Sequence, residues 1–374
     1  MIAGGMYIHV PFCVRKCKYC NFYSTELTQE NLNIYLEGLK KEISHYKNKD
    51  YEVKTIYFGG GTPSLLGLKH LEFIFNHLDK SFNLSKLKEV TLEANPESVS
   101  MNKVIGWKEL GFNRISLGIQ SFNNKSLTLL GRAHTANQAE EALKILVKSF
   151  SNVSADLICG LPNQTLNDWE DEINHILEYD LNHISIYPLQ IESDTPLSKI
   201  VKDDYYNKID QIMHDMMYLT KDKLEIENYR HYEIANYAKD SFESKHNLIY
   251  WTYKPYLGLG PSAASFYNGV RWQNTTDLKV WKKTLKKEID YDSQRLDIKM
   301  AEFVFLALRL INKGLDSNKF YEEFNVTLEK IYGETLDKLI NYKWLTKDKN
   351  QYKLTSQAIF FANEVFAEFL PDAN

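Results

Sequence analysis

Cysteine is scarce here, with four residues in a chain of 374, which does not suit a disulfide-stapled scaffold. Long apolar runs are also missing. Among the longest is Phe303-Val304-Phe305-Leu306-Ala307-Leu308, far below the roughly 20 residues that span a bilayer. The N-terminus shows no basic segment followed by an apolar stretch, so no signal peptide is expected, and the expected compartment is the cytoplasm, where thiols stay reduced. There is no excess of positive charge. Lys and Arg number 45 against 49 Asp and Glu, a net charge of −4, which disfavours a general nucleic-acid binder but leaves room for a local basic patch. No low-complexity tract is found. With 44% hydrophobic and 25% charged residues, wholesale disorder is excluded.

What the chain does have is rhythm. Thr55 to Phe58, Val90 to Leu92, Ile115 to Ile119, Ala155 to Ile158 and Ile184 to Tyr187 read as buried strands, with Met6 to Val10 as a first. Amphipathic stripes lie between them: Leu32, Leu36, Leu39 and Ile43; Leu68, Leu71, Phe75 and Leu78; Val104, Trp107 and Leu110; Ala139, Leu143 and Leu146. Strand and helix alternating about every 30 residues predict βαβ units and a parallel sheet. The expected fold is α/β, a partial (β/α)6 barrel over residues 1–200. An extension over 201–295 follows, with a helix from Asp203 to Lys223, a short strand from Tyr229 to Tyr232 and a loop-rich aromatic stretch from His246 to Trp272. Residues 296–374 read as a winged-helix-like α+β module: helices at Ala301–Leu310 and Thr327–Asn341, a hairpin turning at Lys347–Asn350 and a terminal helix at Ser356–Phe369. Winged helices often bind DNA, but residues 321–374 hold six Lys, no Arg and nine acids. A packing or lid role is the better expectation, with no nucleic-acid partner.

Three of the four cysteines form Cys13-x3-Cys17-x2-Cys20, a spacing that in a reducing compartment points to a metal site. Three thiolates on one loop cannot close a tetrahedral zinc shell without a fourth ligand, for which His9 is a candidate. A four-iron cluster held by three cysteines instead keeps one iron open to an outside ligand. Arg15, Lys16 and Lys18 would lower the thiol pKa values and offset the cluster's charge. The ends of the predicted strands then supply a lined pocket, since barrel sites form at the carboxyl ends. Gly59-Gly60-Gly61-Thr62-Pro63 follows the second strand, Glu93 and Gln120 end the third and fourth, Asp156 lies in the fifth and Tyr187 ends the sixth. A glycine triplet alone is a tight turn. Beside the cysteine loop it suits close backbone approach to a small charged ligand. Arg132, in Leu130-Gly131-Arg132-Ala133-His134, is a candidate partner for a carboxylate of such a ligand.

Tyr7-Ile8-His9-Val10-Pro11-Phe12-Cys13-x3-Cys17-x2-Cys20 resembles the signature of radical S-adenosylmethionine enzymes, in the branch related to oxygen-independent coproporphyrinogen III oxidase. The resemblance implies a [4Fe–4S] cluster on the three cysteines and S-adenosylmethionine on its open iron. It assigns cofactor contacts to Tyr7, Gly60, Gly61, Thr62, Glu93, Gln120, Arg132, Asp156 and Tyr187, the last on the adenine side. It extends from Tyr7 to Trp272, and the tail also resembles the family's C-terminal domain. Cys159 stands where relatives usually have Tyr and reads as a small buried side chain.

Within that family two readings compete. One is radical decarboxylation of coproporphyrinogen III; the other is a heme chaperone branch that binds heme and passes it on. The oxidase carries a further cysteine two residues after the third, where this chain has Phe22. It also has a long N-terminal extension, whereas 12 residues precede Cys13 here. His246-Asn247-Leu248-Ile249-Tyr250-Trp251 matches the H-N-x-x-Y-W motif that marks the chaperones. All three features favour the carrier, with heme as a ligand and His246 as a heme contact, since imidazole ligates heme iron and aromatics stack on a flat macrocycle. Ser262-Ala263-Ala264-Ser265 stands where relatives usually have Gly-Ala-His-Ser, so a second imidazole from that loop is not expected. The resemblance further implies heme-accepting partners, respiratory and membrane-associated proteins among them, with membrane contact peripheral and through those partners. It leaves a homodimer open. A maturase acting on a peptide or tRNA is a third class, in which the H-N-x-x-Y-W stretch has no evident task.

Overall fold

The computed structural model describes residues 2–47, 50–201 and 205–371, apart from the side chains of 206–208 and 210. The barrel half begins with β1 (Ile2–Val10), a two-residue pairing of β2 (Phe12–Cys13) with β3 (Thr25–Glu26), α1 (Gln29–His45) and β4 (Tyr51–Gly60). It continues through α2 (Leu68–Asp79), β5 (Glu89–Ala94), α3 (Met101–Glu109), β6 (Arg114–Gln120), α4 (Asn124–Leu130), α5 (Ala136–Ser149), β7 (Val153–Cys159), α6 (Leu166–Leu177) and β8 (His183–Pro188). Strands β1, β4, β5, β6, β7 and β8 lie side by side in chain order, each parallel to the next. An order that advances in one direction curls a parallel sheet, so this is the expected partial (β/α)6 barrel. The strand residues that face the surrounding helices, such as Ile8, Ile56, Leu92, Leu117, Leu157 and Ile186, are buried. Helices start where local chemistry allows. Thr28 caps α1, and capping boxes at Thr135 and Thr165 open α5 and α6.

The next part is woven into the same sheet. It holds α7 (Tyr205–Ile226), β9 (Arg230–Glu233), β10 (Asn236–Ala238), α8 (Lys245–Trp251), β11 (Tyr256–Leu259), β12 (Ala264–Tyr267), β13 (Val270–Asn274), α9 (Leu278–Thr284) and β14 (Lys287–Ile289). Among the described residues the sheet has twelve strands in the order β14-β13-β12-β11-β1-β4-β5-β6-β7-β8-β10-β9. The stretch from His246 to Trp272, expected as loop, is therefore a short helix and three strands. Its strands have four or five residues, and glycines interrupt the apolar pattern. Gly258 shows why: a Cβ there would lie 2.0 Å from the carbonyl oxygen of Ala264. The helix expected from Asp203 is seen from Tyr205 to Ile226, Asp203 itself lying outside the described residues.

The tail has its own core, built on Val304, Leu308, Phe320, Leu336, Tyr352 and Val365. It runs α10 (Leu296–Leu308), β15 (Leu315–Asp316), α11 (Ser317–Phe324), α12 (Leu328–Asn341), β16 (Leu345–Asp348), β17 (Gln351–Leu354) and α13 (Ala362–Ala367), with a sheet ordered β15-β17-β16. That is winged-helix order. The terminal helix is shorter than expected, because a 3-10 turn at Ala358–Phe361 precedes α13. α11, eight residues long, had no counterpart in the expectation.

Candidate functional site

The cysteine loop is pinned at both ends and at its middle. The β2–β3 pairing holds its base. The Lys18 N–H donates to the Leu130 carbonyl at the end of α4 (2.9 Å), and the Lys18 carbonyl accepts from Leu197 (2.8 Å). Cys13, Cys17 and Cys20 are half-buried, while Cys159 is fully buried elsewhere against Met213 and Met217. Two of the loop sulfurs accept hydrogen bonds, one from the end of β4 and one from the loop after α4. The Thr62 hydroxyl donates to Cys13 Sγ (3.8 Å) and Arg132 Nη1 to Cys17 Sγ (3.6 Å). Asn95 links these donors, giving Nδ2–H to the Thr62 hydroxyl (3.1 Å) and taking Arg132 Nη2–H on Oδ1 (2.8 Å). Arg132 Nη2 also donates to the Gly118 carbonyl (2.6 Å), which a break in register before Gln120 releases from the sheet. Gln120 holds a left-handed φ of 71° at that break, the kind of strain that collects at sites.

Three thiols on one loop, two of them with donors aimed at their sulfurs, suit a cluster held by three cysteines, because such bonds stabilise thiolate charge. His9 does not join them as a fourth ligand. Its Nε2 donates to the Tyr23 carbonyl (3.1 Å), which leaves Nδ1 to accept from the Tyr7 hydroxyl (3.2 Å), and burial lowers its pKa to about 4. Among the described residues no three His, Cys, Asp or Glu side chains close around a single ion.

The glycine turn packs closely on its neighbours. Its amides are already engaged: Gly60 N–H with Glu93 Oε2 (3.1 Å), Gly61 with the Val10 carbonyl (2.8 Å) and Thr62 with the Phe12 carbonyl (2.7 Å). Gly60 has a φ of 110°, and a Cβ there would lie 2.6 Å from the His9 ring. The turn thus packs against β1 and the cysteine loop, and Gly60, Gly61 and Thr62 position Glu93 and Cys13.

Acids line the strand ends. Glu93 accepts from Tyr57 (2.8 Å), and burial pushes its carboxyl up to about 7. Asp156, reached by the Ser116 hydroxyl at 3.2 and 3.3 Å, is also raised by burial. Its charge acts on Tyr187, which is 44% exposed at the end of β8. A cationic guest would return both acids to their charged form. Tyr57, which no sequence motif singled out, joins the two halves of the site. Its ring stacks on Tyr7 (6.2 Å) and on His246 (5.0 Å). The signal for it is period-two alternation, which turns Thr55 and Tyr57 to the same face of β4.

His246 is not placed as a ligand. It is fully buried at the start of α8, with Nδ1 2.7 Å from the Thr55 hydroxyl and Nε2 2.7 Å from the Tyr250 hydroxyl. Both ring nitrogens are engaged, and burial lowers its pKa to about 3. The residue that reaches open space is Tyr250, one helical turn later. It lines a cavity of about 490 Å³ together with Tyr7, His9, Phe22, Trp251 and Tyr256.

The family model described as the radical SAM superfamily matches residues 7–176, and the one described as the HemN C-terminal domain matches 296–361. The chain is 34% identical to the heme chaperone HemW of Lactococcus lactis, with 99% of this chain and 98% of the relative covered. The chain belongs to the HemW family of radical SAM proteins. The Bacillus subtilis HemW is 32% identical, with 97% and 98% covered. Coproporphyrinogen III oxidase (HemN) from Escherichia coli shares the fold, with a TM-score of 0.82 at 20% identity over 98% of this chain and 90% of that one. Membership in the radical SAM superfamily implies a [4Fe–4S] cluster and S-adenosylmethionine.

Proposed function

We propose that this chain binds heme and delivers it to acceptor proteins, with the cluster on Cys13, Cys17 and Cys20 and S-adenosylmethionine across the strand ends. The observation that carries the reading is the cavity. Tyr250 and Trp251 of the H-N-x-x-Y-W helix open into the same space as Tyr7 and His9, which lie on the strand leading to the cysteines. Flat apolar walls with few polar groups are what a macrocycle needs, and Lys254 at the lining offers a cation for its carboxylates. When bound, the cluster supplies a one-electron reductant beside a sulfonium. The protein's own part is placement. Glu93 would meet the ammonium and Asp156 the ribose diol. Arg132, whose Nε lacks a hydrogen-bond partner, would take the carboxylate. Gln120 and Tyr187 would border the nucleoside.

The division into residues 1–200, 201–295 and 296–374 is part of this proposal, as are a cytoplasmic location and membrane contact made through acceptors. Among the described residues no helix is long and apolar enough to cross a membrane. The test is a heme titration of anaerobically reconstituted protein run beside a coproporphyrinogen III turnover assay. Saturable heme binding without decarboxylation is the expected result; steady conversion to protoporphyrinogen IX would replace this reading with the oxidase.

A further inference from the structure

The H-N-x-x-Y-W helix places its histidine and tyrosine four residues apart on one face of α8, but at different depths. His246 is sealed behind, against Thr55 and the Tyr57 ring, whereas the Tyr250 side chain forms part of the cavity wall. The Tyr250 ring is held from two sides. His246 lies 5.0 Å away at 84°, and Tyr256 lies 4.5 Å away at 77°. The helix itself is clamped to the barrel, because the backbone N–H groups of Lys245 and His246 both donate to the carboxylate of Glu89 (3.0 and 2.9 Å). An imidazole held this way cannot swing into the cavity without giving up both ring hydrogen bonds and its stack on Tyr57.

We propose that the Tyr250 oxygen is the group that coordinates the iron of ferric heme in this cavity, and that His246 is a positioning residue that holds the tyrosine through Nε2. The inference rests on the heme-carrier reading above. Tyrosine oxygen is an established protein ligand for ferric heme, and a ligand whose hydrogen-bond partner is itself fixed is oriented before the metal arrives. With Nε2 protonated, His246 donates to the Tyr250 oxygen while Nδ1 accepts from the Thr55 hydroxyl. Coordination breaks the Tyr250 O–H bond and forms one Fe–O bond, with iron remaining ferric. The phenolic proton leaves through the cavity that Tyr250 lines. Imidazole stays neutral with its tautomer unchanged, and Nε2–H goes on donating to the phenolate.

The test is a titration of the full-length protein with ferric heme, read by absorption and by resonance Raman, for wild type, Tyr250→Phe, Tyr250→His and His246→Gln. Phenolate-enhanced Raman bands are expected in the wild type. They should vanish in Tyr250→Phe and give way to an imidazole-type spectrum in Tyr250→His. In His246→Gln they should persist, shifted, with affinity about tenfold weaker, the usual cost of losing a ligand's supporting partner. If the wild type binds heme and Tyr250→Phe leaves the spectrum unchanged, or if an imidazole signature in the wild type disappears in His246→Gln, the assignment to Tyr250 is wrong while the carrier reading stands. If the wild type takes up no heme, the carrier reading itself fails and the assignment goes with it.

Discussion

Cys17 and Cys159 are both thiols in settings with sulfur neighbours, yet they behave differently because of what surrounds them. Cys17 faces an arginine from the barrel, whereas Cys159 is enclosed by two thioethers and burial pushes its thiol up to about 12. Replacing Cys13, Cys17 or Cys20 with Ser should abolish iron uptake and cluster absorbance after reconstitution, while Cys159→Ser should keep both. Glu42 is a residue that no motif reveals. It is buried on α1, accepts from Gly260 N–H (2.8 Å), Asn274 Nδ2 (2.8 Å) and Trp281 Nε1 (3.2 Å), and burial raises its pKa to about 7. Unfolded, it would ionise near 4.5. Between those values the folded state keeps a proton that the unfolded chain has lost, so this part of the stability is full below about 4.5 and declines as pH rises to about 7. The limiting slope is about 1.4 kcal/mol per pH unit. Thermal midpoints at pH 5 and pH 7 should therefore diverge less in Glu42→Gln than in wild type, and an equal divergence would refute the assignment.

At the scale of elements, the six barrel strands could be read from sequence because helices cover the parallel sheet and leave short apolar runs. β11, β12 and β13 could not, since they are too short for a period and Gly258 and Gly269 interrupt them. The cysteine loop was legible from spacing, and Glu93 and Arg132 from the resemblance. Asn95 and Tyr57 were not, because what makes them part of the site is which strand lies next to theirs. The same holds for α8. Seven residues with a serine cap make a marginal helix, and what secures it is Glu89, on a strand more than 150 residues earlier, beside the buried Arg114. Glu89→Gln removes the first of the negative charges that act on Arg114, leaving Asp156, and should lower stability by about 3 kcal/mol. Amide exchange over residues 245–251 should quicken, with β6 and β7 still protected.

At the scale of the whole molecule, the described residues of the tail meet the barrel's extension through charged contacts that include Arg271 with Glu302 (2.7 Å) and Arg309 with Glu233. Arg309 Nη2 lies 3.1 Å from Glu233, whose side chain is fully buried, and the guanidinium sits 4.1 Å from the centre of the Trp251 ring. Arg309→Ala strands a buried carboxylate and should lower stability by about 3 kcal/mol, with a change in tryptophan emission as Trp251 loses its cation. Arg309→Lys should recover part of the loss. Helix α10 also supplies Glu302 and Leu306 to the cavity, so the tail helps to form its wall.

Phe22, 64% exposed two positions beyond Cys20, is part of the cavity wall. Filling the cavity and loading the loop with iron therefore act on one short length of backbone, and thermodynamic linkage makes their influence mutual. On the carrier reading proposed above, whatever factor separates the heme affinities of iron-loaded and iron-free protein must also separate the cluster affinities of its filled and empty forms, so either occupancy can be read out through the other.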